Sequence, residues 1–487
     1  MEEPSAEFRR LHPLTFVHYV FLAIVGFVIS FFSSTDTGVI STPFLIFAIV
    51  YIIIVGPFSI AKYIRFRYYA TNDEIVIYYG VFKRVRRNIP SDRIQNVSIQ
   101  RNLLSRILGT ASVKIETAGT ASAEGVLAFV GIQEAERLRN LFRTVQTTAT
   151  IEENGSTLPG FHMPLQRVAL AGIYQFSFAL IAVVYTLFFQ LISLDVIDLD
   201  KLGIWLTERF FSGEIVTGSW PIIAATFILP VLIGGWILGF LQYLIRFYNF
   251  RMELGPIKIY RKFGLLTIRE STLPYKRVQS FLIRSNPVMR LRRWYRLEIQ
   301  TLGLESGERG FQPAMPFAKW SEITSLAPQI RPFTLPDTYS NVSRRTIQRY
   351  SIRYSLMIAI PLVILFVLWS ENALWGFCLL PLAWGISWMQ YLCHQWTFHD
   401  GNLLIRRRIF SQQFWIVPVE RFQAFEITAS FFQRRMGLCT LIVDTAGAGN
   451  FRYPRIIDLK MDDAKHLFGS LYDAFQKKDR NGAQSSA

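Results

Sequence analysis

The sequence predicts a membrane protein made of two alternating parts. One part is α-helical: six spans, paired as three hairpins. The other is three cytoplasmic α+β modules, each a set of short strands closed by a C-terminal helix. Three observations lead there. A stretch of sequence recurs three times without a gap. A long apolar run precedes each copy. The basic residues fall almost entirely on the module side of those runs.

The repeat is Ile89–Gly119, Leu273–Gly303 and Val417–Gly447. All three copies share Pro90/Pro274/Pro418, Arg93/Arg277/Arg421 and Gln95/Gln279/Gln423. They also share Arg106/Arg290/Arg434, Thr117/Thr301/Thr445 and Gly119/Gly303/Gly447. Self-similarity at this length marks one supersecondary unit used repeatedly. A chain of 487 residues has room for about three domains.

Hydrophobic residues make up 51% of the chain, and mean hydropathy is +0.27. That excess sits in long runs, as in membrane proteins. The net charge is +17, with a pI near 9.8. Juxtamembrane basic residues and anionic headgroups account for it without nucleic acid. The three cysteines, Cys378, Cys393 and Cys439, show neither metal spacing nor a disulfide framework. His394 and His399 are five apart, wrong for a helical metal pair.

In chain order, Phe16–Phe32 and Thr42–Ala61 read as the first two spans, within 1–61. The first module, 62–147, follows. Ile75–Tyr79, Val85–Ile89, Val97–Gln100 and Val113–Thr117 read as strands, the last by its alternation of apolar and polar residues. Leu103–Leu108 reads as a helical turn, Gly125–Ile132 as a strand and Gln133–Val145 as an amphipathic helix. A polar linker covers 148–168. The second hairpin, 169–245, contains Gly235-Trp-Ile-Leu-Gly239, a GxxxG packing face. Module two is 246–331, ending in a helix near Phe317–Ile330. After a linker at 332–353 come the third hairpin, 354–393, and module three, 394–478. The helix Met461–Lys478 closes it, and 479–487 reads as a disordered tail. Of the three hairpin tips only the second carries basic residues, Lys201 and Arg209. Positive charge thus places both termini and all three modules in the cytoplasm of a bacterial cell.

The segment Pro90-x-x-Arg93-Ile94-Gln95, carried through to Gly119, resembles the bacterial pleckstrin-homology-like (PH-like) family of the YdbT type. The resemblance covers essentially the whole chain. Copy two departs at Arg293, where copy one has Gly109, and at Tyr295, where it has Ala111. Copy three has Phe422 in the Ile94 slot. The family implies a small, partly open β-barrel closed by a C-terminal helix. It also implies a membrane protein often associated with a shorter single-module relative; that relative, or a second copy of this chain, is the expected partner.

Two residue sets stand out. The shared set Pro90, Arg93, Gln95, Pro274, Arg277, Gln279, Pro418, Arg421 and Gln423 reads as structural, because repeated architecture repeats its structural residues. The basic clusters read equally as lipid- or partner-facing surfaces or as ordinary cytoplasmic charge. They are Lys83, Arg84, Arg86 and Arg87; Arg290, Arg292 and Arg293 beside Trp294; and Arg406, Arg407 and Arg408. No P-loop, HExxH, GxSxG or dinucleotide fingerprint is present. No cofactor is expected. The expected function is a non-enzymatic membrane scaffold whose modules bind a protein partner or the anionic inner leaflet. The alternative is a transporter or lipid-moving conduit, which the lack of ionisable residues in the apolar runs disfavours.

Overall fold

The repeat folds the same way three times, because its strand, turn and strand signals stay in register. The computed structural model describes residues 8–13, 53, 57–117, 125–144, 159–175, 182, 184–186, 189–190, 201, 229–301, 311–368, 376–408, 411–445 and 453–484. Module one contains β1 (Arg67–Ala70), β2 (Glu74–Tyr79), β3 (Val85–Pro90), β4 (Ile94–Arg101), α1 (Leu103–Ile107), β5 (Thr110–Thr117), β6 (Gly125–Gly131) and α2 (Ile132–Thr144). The apolar face of α2 buries Ala135, Leu138 and Phe142 on the sheet. Module two begins with β7 (Gly160–Met163), α3 (Leu165–Ile173) and α4 (Leu229–Phe247). It continues with β8 (Phe250–Leu254), β9 (Lys258–Phe263), β10 (Ile268–Pro274), β11 (Val278–Ser285), α5 (Pro287–Leu291), β12 (Trp294–Thr301), β13 (Phe311–Lys319) and α6 (Trp320–Ile330). Module three contains β14 (Ser340–Asn341), α7 (Arg345–Leu368), α8 (Leu380–Cys393), β15 (Gln395–His399), β16 (Asn402–Arg407) and β17 (Gln412–Pro418). It ends with β18 (Phe422–Thr428), α9 (Phe431–Arg435), β19 (Leu438–Thr445), β20 (Arg455–Lys460) and α10 (Met461–Gln484). β7 and β14 fall in the stretches read from sequence as linkers.

Each module is divided between two sheets, and neighbouring modules share them. One seven-stranded sheet runs β6-β5-β4-β10-β9-β8-β7, and a second runs β13-β12-β11-β17-β16-β15-β14. The ends of the array are three-stranded: β1-β2-β3 and β18-β19-β20. At the first junction Gln100 of β4 faces Arg269 of β10; at the second, Arg284 of β11 faces Gln413 of β17. The repeat puts Gln100 and Arg284 at one position, and Arg269 and Gln413 at another. The two junctions therefore have one register. The cores reach across as well: Leu404, Phe414 and Ile416 of module three pack in the core of module two.

The sequence-predicted fold class needs one correction. Six membrane-spanning helices in hairpins are not shown, for among the described residues no helix is long and apolar enough to cross a membrane. Of the described helices in these apolar runs, α4, α7 and α8 also serve the modules. The start of α7 is polar and packs on module three, burying Thr346, Ile347, Tyr350 and Ser351, and Arg349 holds Asp458 at 2.8 Å. α8 has 14 residues, about 21 Å at 1.5 Å per residue, against an apolar bilayer core of about 30 Å. On α4 the GxxxG pair Gly235 and Gly239 is buried, and Tyr243 and Phe247 enter the core of module two. Phe16–Phe32, most of Thr42–Ala61 and the repeat glycines Gly119, Gly303 and Gly447 lie outside the described residues.

Candidate functional site: an arginine-lined pocket between modules two and three

The shared motif builds a corner. Each repeat proline ends a strand and is followed by one 3-10 turn, at Ser91–Arg93, Tyr275–Arg277 and Val419–Arg421. The repeat glutamine then falls in a β-bulge. Pairing skips from Ile94 to Asn96, from Val278 to Ser280 and from Phe422 to Ala424. An extra residue at such a bulge bends the strand towards its second sheet. Gln279 is buried and donates to the carbonyl of Arg277 at 3.1 Å. Gln423 is exposed. Thr117, Thr301 and Thr445 lie opposite Ile94, Val278 and Phe422, all buried. The three arginines differ: Arg93 is exposed, Arg421 half-buried and Arg277 buried. Only the middle module is flanked on both sides, so only its corner is covered.

The basic clusters separate into two places. Lys83, Arg84, Arg86 and Arg87 lie on β3 and the turn before it, at the far end of the array. The other two clusters meet. Arg290 and Arg293 from module two and Arg406 and Arg408 from module three line one open cavity of about 550 Å³. Tyr295, Trp320 and Phe414 form an aromatic wall, and Met389 and Cys393 bring in the end of α8. The ring of Trp320 lies 5.3 Å from Tyr295 and 6.1 Å from Phe414. Among the described residues no carboxylate lines this cavity. The Arg406 guanidinium sits 3.7 Å over the Tyr339 ring and 4.8 Å over Phe414. Burial, partly offset by Tyr339 and reinforced by the charge of Arg408, pulls its pKa below the usual arginine value. It remains a cation at any physiological pH. Among the described residues the buried Nε of Arg408 has no hydrogen-bond partner. Arg290 donates to the carbonyl of Arg408 at 2.6 Å and so fixes the two modules against each other.

The remaining cluster residues lie elsewhere. Arg292 is exposed beyond α5. Arg407 is half-buried away from the cavity, its pKa lowered first by burial and then by Arg455. Trp294 stacks on Phe317 at 4.1 Å and carries Lys319 at 4.1 Å over its ring.

Two of the pocket arginines occupy positions where the other copies have turn glycines. Gly109 and Gly437 have φ of +63° and +66°; Arg293, at the same position, is forced to +57°. A non-glycine residue in that left-handed region costs roughly 1 kcal/mol or more. Gly80 and Gly264 occupy the turn after β2 and β9 at φ of +106° and +110°. Arg408 stands at that turn after β16. The departure of Tyr295 from Ala111 also faces the pocket. The signal was in the sequence, as arginine in a repeat's glycine slot, but only the fold brings the two slots together. Among the described residues no group of histidine, cysteine or carboxylate side chains could hold a metal.

Comparison with known proteins agrees with the repeat. The family described as bacterial PH domain matches residues 19–145, 170–333 and 346–475. The UPF0699 transmembrane protein YdbT of Bacillus subtilis (strain 168) is 24% identical over 512 positions, covering 98% of this chain and all of that relative. No solved structure matches the chain.

Proposed function

This chain belongs to the bacterial PH domain family, and from that premise we propose that it is a non-enzymatic membrane scaffold whose pocket between modules two and three holds an anionic lipid headgroup. The observation that carries the reading is the pair of turn glycines replaced by Arg293 and Arg408 within one aromatic-walled cavity, which no carboxylate lines among the described residues. Arg293 alone of the two keeps the left-handed backbone, and strain kept at one copy of a repeat calls for a use at that copy. Four guanidiniums line the cavity, and guanidiniums bind a phosphate by charge-assisted and bidentate hydrogen bonds. The aromatic rings and the end of α8 suit the interfacial depth at which a headgroup lies. α4, α7 and α8 expose apolar side chains, among them Ile237, Leu241, Leu356, Ile360, Val367, Leu382, Trp384 and Trp388. Apolar surface of that extent marks a membrane or protein contact. The similar protein YdbT is named a transmembrane protein, which supports membrane association. The distribution of basic residues supports a cytoplasmic location for the modules and both termini.

The test uses the full chain in detergent micelles doped with phosphatidylglycerol or phosphatidylcholine, with retained lipid counted by native mass spectrometry. The wild type should retain phosphatidylglycerol selectively. Arg293→Gly and Arg408→Gly restore the repeat's own residue, so they should fold normally. Each should lower phosphatidylglycerol affinity by about tenfold, the loss of roughly 1.4 kcal/mol of charge-assisted bonding. Unchanged selectivity in the double reversion would overturn the reading.

A further inference from the structure

The array ends on two strand edges that are the counterparts of its own internal junctions. At each junction the second-sheet edge of one module, β4 or β11, pairs antiparallel with the third strand of the next, β10 or β17. Among the described residues, the counterpart of β10 and β17 in module one, β3, has no strand beyond it. Nor does the counterpart of β4 and β11 in module three, β18. We propose that these two edges join head to tail, β18 of one copy of this chain pairing with β3 of the next.

Three observations carry the proposal. First, the internal junctions share one register, so the repeat specifies the third. Gln100–Arg269 and Arg284–Gln413 correspond to Thr428 facing Val85 of the next copy. Two residues along, Glu426 then faces Arg87 of the next copy. Second, the edges are complementary in charge. β3 and its turn carry Lys83, Arg84, Arg86 and Arg87, which repel another β3. β18 presents the exposed Glu426, while Glu420 just before it is already paired with Arg331. A heterologous contact follows, and it propagates unless the rotation closes a ring. The first junction shows that polar edges pair in this fold, since Gln100 faces Arg269 and Ile99 faces Glu270. Third, the arginine shared by the short helices after β4 and β11 crosses each junction. Arg106 donates to the carbonyl of Leu265 at 3.0 Å, and Arg290 to that of Arg408 at 2.6 Å. The third copy, Arg434, is exposed, and its guanidinium has no hydrogen-bond or ion-pair partner among the described residues. Its counterpart acceptors lie in the turn at Gly80 and Val81 of the next copy. Beside Arg434, Phe431 and Phe432 are 61% and 66% exposed, and beside that turn Phe82 is 92% exposed.

The experiment uses the full chain in nanodisc-free detergent solution, with Cys378, Cys393 and Cys439 replaced by Ser. One preparation carries Val85→Cys, another Thr428→Cys, and a third carries both. Under mild oxidation the mixture of singles should give a covalent dimer, and the double variant a ladder. Neither single alone should cross-link. A pairing of Val85→Cys with Gln423→Cys, five residues out of register, should be at least tenfold weaker. Mass photometry of the unmodified chain should show concentration-dependent multiples of the monomer, abolished by Arg434→Glu with Glu426→Arg. A monomer at every concentration, cross-linking between two Val85→Cys chains, or equal cross-linking out of register would each overturn the proposal.

Discussion

His394 shows how much a single buried group can set. It follows α8, is 4% exposed, and its ring Nε2 has no hydrogen-bond partner among the described residues. Burial, then the charges of Arg407 and Arg349, push its pKa down to about 3. The folded chain therefore holds it neutral. Unfolded, it protonates near its ordinary value of about 6.5. Between those two values the unfolded state binds the extra proton, so stability falls as pH drops through that window. The slope attributable to this one group is about 1.4 kcal/mol per pH unit. Thermal melts of the full chain in detergent at pH 7, 6, 5 and 4 should show the loss, and His394→Gln should flatten it. An identical pH slope in the variant would place the sensitivity elsewhere. Nearby, Asp458 is fully buried at φ +66°, held by Arg349 and by Gln433 at 2.8 Å. Neither interaction could be read from the chain, because the partners sit in elements more than twenty residues apart with no shared motif.

The elements divide into those the sequence announces and those it hides. β5 alternates Val113 and Ile115 with Lys114 and Glu116, and α2 repeats apolar residues at helical spacing, so both were legible. β1, β7 and β14 were not. They are short, lie at sheet edges and are recruited by longer partners such as β8 and β15. The repeat corner was legible as a motif, but its three environments were not, because covering depends on neighbours. That difference predicts unequal effects of one substitution. Arg277→Ala, at a buried corner, should destabilise by about 3 kcal/mol through the polar groups it strands. Arg93→Ala, at an exposed one, should stay within about 0.5 kcal/mol. Denaturant melts of the two variants give the comparison, and equal losses would mean that the corner, not its burial, sets the energy.

At the scale of the whole molecule, the modules are not beads on a string. Glu270 of β10 is bound by Lys262 at 2.8 Å and by Arg139 of module one at 3.2 Å. Burial disfavours its charge, yet the Lys262 hydrogen bond and the charges of Lys262, Arg139 and Arg101 hold its pKa below the usual carboxylate range. Arg331 and Glu420 form an ion pair across the second junction. None of this coupling has a local signature, since paired strands lie far apart in sequence. Removing module three should therefore injure module two. A chain ending at 331 would bare β11, whose Phe281, Leu282 and Ile283 are each 1% exposed in the full protein. An apolar open edge of that kind templates aggregation. Sedimentation should find the 1–331 fragment in large aggregates; a monodisperse fragment with an unshifted melt would contradict the shared-sheet account.

The shared sheets also impose a schedule on synthesis. When β4 leaves the ribosome, its partner β10 has yet to be made, and the whole of α3, α4, β8 and β9 must follow first. Domains ordinarily fold as units in the order they emerge. Here the first module is finished only by the second and the second only by the third. Each nascent stage exposes an unpaired edge until its partner strand appears, about 170 residues after β4 and about 130 after β11, a delay on the order of ten seconds at ordinary elongation rates. The basic β3, paired with no later strand among the described residues, carries its own protection throughout.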